Sequence, residues 1–118
     1  MNFMRRDLIC DRLRINARQS YRLVGTSRSG LISSDEVVRL LNHTRCGIVQ
    51  PFSFIPSDIV KPDELATEIH VKVSRLRTWT RRTRNVPPHF RFNGHTIRYP
   101  HALFMAWLAD NSKVERCS

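Results

Sequence analysis

Between Ile69 and Ala109 the chain has no aspartate or glutamate, yet it carries Lys72, Arg75, Arg77, Arg81, Arg82, Arg84, Arg91 and Arg98, interleaved with Trp79, Phe90, Phe92 and Tyr99. Such a segment repels itself in any compact fold and calls for an external polyanion. The phosphate backbone of nucleic acid, with one charge per ~1.7 Å of duplex axis, is the most economical one. The formal charge of +10 comes mostly from arginine, whose fork suits phosphates and guanine edges better than the point charge of lysine.

At 118 residues the chain can form one ordinary domain or two very small ones. Cys10, Cys46 and Cys117 are far apart and lack the spacing of a zinc site or a disulfide framework, so free thiols in a reducing cytoplasm are expected. Met1 to Asp7 has no apolar run behind its two arginines, and no stretch approaches the ~20 apolar residues of a membrane span. Neither export nor a membrane partner is expected.

Residues 47–62 hold three prolines and no helical period, which marks an ordered linker; Phe52, Phe54 and Ile55 make it apolar enough to pack. It separates a first unit, 1–46, from a second, 63–112. In the second, Asp63 and Glu64 follow Pro62 where a helix N-terminus favours anions, and Leu65, Ala66 and Ile69 predict a two-turn helix. Val71 fits a turn, and Val73 to about Thr83 predicts a second helix with Leu76 and Trp79 inward. A short helix, a tight turn and a basic helix form a helix-turn-helix pattern.

Phe90 to Tyr99 alternates around Asn93-Gly94, the signature of a two-residue hairpin. That turn pairs Phe92 with His95 and Phe90 with Ile97, and it directs Arg91, Thr96 and Arg98 outward as a basic wing. Pro100 opens a closing helix with Leu103, Phe104, Trp107 and Leu108 on one stripe, ending at Asp110-Asn111-Ser112. The first unit repeats this layout: Ile9, Cys10, Leu13 and Ile15 correspond to Leu65, Ala66, Ile69 and Val71. Asn16 caps a helix from Ala17 to Val24 that stops at Gly25, and Leu23 takes the place of Trp79. The loop Thr26 to Gly30 replaces the wing, and the capping box Ser33 to Glu36 opens a helix with Val37, Val38, Leu40 and Leu41 inward. The expected fold is mainly α with a short β-hairpin wing, in two tandem winged helix-turn-helix-like units.

Val71-Lys72-Val73-Ser74-Arg75-Leu76-Arg77-Thr78-Trp79, then Val86-Pro87-Pro88, the arginine-flanked wing and Ala106-Trp107-Leu108 resemble the excisionase/AlpA-type branch of the MerR-like winged helix-turn-helix proteins. Ile15 to Val24 and Ile32 to Val37 are similar to the same family. The resemblance covers about four fifths of the chain. It implies transcription control linked to a phage or mobile element, or assistance to an integrase during excision, at the nucleoid of a prokaryotic cytoplasm. The tandem arrangement departs from the family's usual single small domain.

The expected DNA-binding residues are Lys72, Ser74, Arg75, Arg77, Thr78, Arg81, Arg82, Arg91, His95 and Arg98 in the second unit, with Arg18, Gln19 and Arg22 in the first. Duplex DNA is the expected partner, bound by a homodimer or a cooperative array, with an integrase or the transcription machinery as protein partner. No cofactor or metal is expected. His70, His89, His95 and His101 have no clustered carboxylates beside them, and no phosphate loop or nucleophile elbow occurs, so an enzyme is not expected. Two alternatives stand beside DNA binding. An RNA-binding protein would need exposed aromatics for base stacking, and an antiactivator-like regulator would bind a protein through Leu40, Leu41 and the apolar linker.

Overall fold

The computed structural model describes residues 3–24 and 30–117, the last six as backbone alone. The predicted stop at Gly25 and most of the loop Thr26 to Gly30 lie outside them. Among the described residues the fold is mainly helical with small antiparallel sheets. No helix among them is long and apolar enough to cross a membrane.

Helix α1 (Arg6–Leu13) ends at Arg14, which adopts the left-handed conformation at φ 58°, and the Ile15 N–H turns back to the Cys10 carbonyl at 3.0 Å. Helix α2 (Ala17–Val24) then begins on a reciprocal cap: the Asn16 side-chain oxygen accepts from the Gln19 N–H at 2.8 Å, and the Gln19 side chain accepts from the Asn16 N–H at 2.9 Å. The same construction recurs 56 positions later. There α4 (Pro62–Glu68) leads to His70 at φ 59°, the Val71 N–H bonds to the Ala66 carbonyl at 3.0 Å, and α5 (Val73–Thr80) follows. The inward position held by Leu76 in α5 is held by Ser20 in α2, and both are fully buried.

Each helix pair is framed by strands. Strand β1 (Phe3–Arg5) pairs antiparallel with β2 (Leu31–Ser33), which runs into α3 (Ser34–Thr44), capped by the Ser33 hydroxyl accepting from the Asp35 N–H at 3.2 Å. The strand at residues 59–60 (β4) pairs antiparallel with β6 (Ile97–Pro100), which runs into α6 (His101–Cys117). The order strand, helix, helix, strand, helix thus occurs twice. Two further strands, β3 (Arg45–Cys46) and β5 (His89–Arg91), complete a sheet ordered β3-β5-β6-β4, so the end of the first half pairs directly with the hairpin of the second.

That hairpin separates two clusters of buried side chains. Phe90 and Phe92 join Ile9, Leu13, Ile32, Val37 and Leu41 together with Ile55 and Ile59 of the 47–62 segment, whereas Tyr99 joins Leu65, Ala66, Leu76 and Phe104. Ile97, Trp79 and Trp107 pack against the second cluster, the two indoles 5.8 Å apart between ring centroids. Each fully buried Phe or Leu contributes about 1.5–3 kcal/mol relative to exposure, so both clusters depend on the same two strands.

Three expectations are corrected. The hairpin turn has three residues, not two: the Asn93 side-chain oxygen accepts from the N–H groups of His95 and Thr96, both at 2.9 Å, and the Phe92 N–H donates to the Thr96 carbonyl at 3.0 Å. Phe90 therefore pairs with Arg98, and Arg91 with Ile97. A one-residue slip changes the face of every side chain on one strand, so Arg98 and Thr96 are buried while Ile97 turns to the α5 side. The basic helix stops at Thr80 rather than near Thr83, because the chain tightens through Arg81 and Arg82 N–H bonds to the Thr78 and Trp79 carbonyls. Conversely, α6 runs past Asp110-Asn111-Ser112 to Cys117. No Gly or Pro follows to stop it, and the Asn111 amide bonds back to the Trp107 carbonyl at 2.8 Å.

Candidate nucleic-acid interface

Leu76 and Thr80 hold the inner side of α5 in the second cluster, which leaves Ser74, Arg75, Arg77 and Thr78 on its outer side, all exposed. Lys72 is exposed at the helix entry, and Arg81 and Arg82 are exposed just past its end. The Arg75 guanidinium lies 5.7 Å from the centre of the Trp79 ring, a cation–π contact that steers the stem along the helix and leaves the charge at the surface. The Thr78 hydroxyl bonds back to the Ser74 carbonyl at 3.0 Å.

The hairpin stands beside this helix. Arg77, Thr80 and Arg81 face Arg91, Gly94, His95 and Ile97 across a polar cleft of about 180 Å³. Its lining contains three arginines and no carboxylate. Arg91 is half-buried and reaches the Thr80 carbonyl at 3.4 Å, which ties the hairpin to the end of the helix. Guanidiniums converging without a counter-charge raise the local positive potential, and an anionic ligand with several oxygens lowers it. Thr80, Gly94 and Ile97, absent from the expected site, complete the cleft. The cue for Gly94 was the hairpin itself, whereas Thr80 carries no sequence signal.

Two expected contact residues are used for structure instead. Arg98 is 8% exposed: its Nε donates to the Leu13 and Arg14 carbonyls at 3.2 and 3.0 Å, one Nη to Arg14 at 2.7 Å and the other to Ile97 at 2.7 Å. It caps the C-terminus of α1, where carbonyls lack helical partners and a cation is favoured. It is not an outward phosphate grip. Burial disfavours the charged guanidinium and lowers its pKa from the usual arginine value. Gln19 is half-buried, caps its own helix and donates to the Thr96 hydroxyl at 3.3 Å. Its neighbours Arg18 and Arg22 are exposed, and neither forms an ion pair among the described residues.

The residues proposed for protein capture also divide. Leu41 is fully buried in the first cluster and has no surface to offer, and Leu40 packs partly against it. Val49, Phe54 and Leu103 are exposed beside Phe52. Compared with known proteins, the chain matches no family model, no curated protein and no solved structure.

Proposed function

We propose that this protein binds double-stranded DNA sequence-specifically, with α5 reading base edges in the major groove and the β5–β6 hairpin gripping the adjacent backbone. Each strand-framed helix pair is read as a winged helix-turn-helix-like unit, the second carrying the full wing. The observation that carries the reading is the cleft in which Arg77 and Arg81 from the helix side converge with Arg91 from the hairpin, no carboxylate among them. A helix and a hairpin bearing arginines side by side match the groove-and-backbone geometry of duplex DNA. The exposed Phe and Tyr side chains among the described residues, Phe3, Tyr21 and Phe54, do not line this cleft, whose one aromatic ring is the imidazole of His95, so it lacks the paired stacking platforms of single-strand RNA binders. In the cell such binding serves transcriptional regulation, or an excisionase-like recombination directionality role in a phage or mobile element.

The test is a titration of the full chain with random duplex DNA at several salt concentrations, followed by selection of preferred sites from a random library. Each phosphate contact adds about 0.9 to the log–log salt slope, so a slope of about 3 or steeper is expected, with an enriched motif emerging from the selection. A slope near zero, or tighter binding to single-stranded RNA than to any duplex, overturns the proposal.

A further inference from the structure

The hairpin has a helix-turn-helix pair on each of its faces, and this arrangement bears on how much DNA one molecule reads. Resting on the DNA-binding reading above, we infer that α2 and α5 of a single chain contact one duplex on either side of the β5–β6 hairpin tip, so that a monomer reads two separated half-sites.

The placement follows from the pleat of the hairpin. Successive strand residues point to opposite faces. Phe90, Phe92, Thr96 and Arg98 face the first half, where Thr96 accepts from Gln19 of α2 and Arg98 caps α1. Arg91 and Ile97 face the other way, toward Arg77, Thr80 and Arg81. The tip at Gly94 and His95 is exposed; it lines the cleft with α5, and the adjacent Thr96 is bonded to Gln19 of α2. The two are comparable in construction as well as in position. Both enter from a left-handed residue, Arg14 or His70, and both turns close through the same backbone bond, Ile15 to Cys10 or Val71 to Ala66. On α2, Arg18 and Arg22 stand one turn apart on the exposed side, as Arg77 and Arg81 do at the end of α5.

Along one face of B-DNA the order is major, minor, major groove, repeating every ~34–36 Å. The helix, hairpin tip, helix order of this chain follows that sequence. The chain as a whole is 55 Å in its longest dimension, more than one ~34–36 Å groove repeat. A rigid hairpin packed against both halves fixes their separation, so the spacing between half-sites becomes part of the specificity.

The experiment uses the full chain on its selected site, with hydroxyl-radical footprinting, complex mass measured by sedimentation, and two double variants of exposed residues, Arg18→Ala/Arg22→Ala and Arg75→Ala/Arg77→Ala. Unchanged thermal unfolding verifies that both are folded. A 1:1 complex with two protected segments about one helical turn apart is expected. Each double variant loses one segment and about tenfold or more in affinity, and inserting about 5 base pairs between the segments, half a turn, weakens wild-type binding to a similar degree. A single protected segment, a 2:1 complex with one segment per molecule, or an α2 variant that binds like wild type while the α5 variant fails overturns the inference and leaves the DNA-binding proposal standing. Absence of salt-dependent duplex binding by the wild type removes both.

Discussion

The guanidinium of Arg98 is bound to the backbone carbonyl of Arg14 through both Nε at 3.0 Å and Nη2 at 2.7 Å, across 84 positions of sequence. Arg14 in turn forks onto Glu64 at the start of α4, with Nη2 to Oε2 at 2.7 Å and Nε to Oε1 at 3.2 Å. The hairpin, the α1–α2 pair and the α4–α5 pair are thereby joined through one short chain of contacts.

Arg98→Ala should lower stability rather than only weaken DNA binding. The substitution leaves the α1 terminal carbonyls without their charged donor, and hydrogen bonds to a charged group are worth about 1.5–3 kcal/mol net. A loss of about 2–3 kcal/mol is expected, and Arg98→Lys should recover only part of it because a point charge cannot serve both carbonyls. Urea unfolding midpoints measure this; an Arg98→Ala midpoint equal to wild type would refute the capping role.

Two glycines should respond oppositely to alanine. Gly47 has φ +69°, and a Cβ there would meet the Val86 and Pro87 carbonyl oxygens at 2.5 and 3.0 Å, so Gly47→Ala should cost about 2–3 kcal/mol through strain and displaced backbone. A Cβ on Gly94 would meet nothing within 4 Å, so Gly94→Ala should stay within about 0.5 kcal/mol. A two-residue turn of the mirror-image type would demand positive φ at Gly94 and penalise that change. Thermal unfolding of the pair therefore also tests the three-residue turn.

His89 is almost fully buried, with Nδ1 2.8 Å from the Pro87 carbonyl, and burial pushes its pKa below the usual histidine value. The unfolded chain takes up a proton near pH ~6.5 that the folded chain accepts only at lower pH. Its contribution is therefore complete above pH ~6.5 and is lost as pH falls through the folded value. Urea midpoints should drop between pH 7.5 and 5, and His89→Gln should flatten that drop. An identical slope in the variant would count against His89 as its source.

Tyr99 gives the alkaline counterpart. Burial raises its phenol from the usual 10 to about 12, whereas Tyr21 is exposed. The folded chain holds this proton where the unfolded chain releases it, so stability is complete below pH ~10 and is lost as pH rises toward 12. In an ultraviolet titration of a Tyr21→Phe variant, which leaves Tyr99 as the one phenol of the chain, phenolate absorbance should appear near pH 12 or with unfolding. Ionisation of that phenol near pH ~10 while the variant is still folded would contradict this environment.

The helices were legible because their determinants are local. Asn16 and Ser33 cap the helices expected of them, and Leu65, Ala66 and Leu76 are buried on the stripes their spacing predicts. The correspondence of Ile9, Cys10, Leu13 and Ile15 with Leu65, Ala66, Ile69 and Val71 reappears as one turn geometry used twice. The exposed arginines of α5 were equally visible, since an acid-free helix face has few ways to be buried.

By itself the sequence determined where α2 to α5 start, which faces of the helices turn inward, and that positive charge gathers on the second half. Each of these depends on hydrogen bonds and apolar contacts within a few residues along the chain. Only the tertiary structure decided the pairing of β1 with β2 and of β3 with β5, the register of the hairpin and the fate of Arg98. Two- and three-residue strands carry too short a period to specify a partner, and the three-residue turn is held by Asn93, whose side-chain oxygen accepts from the His95 and Thr96 N–H groups. Once that turn moved the register by one residue, the pleat turned Arg98 from solvent to the carbonyls of a helix 84 positions away.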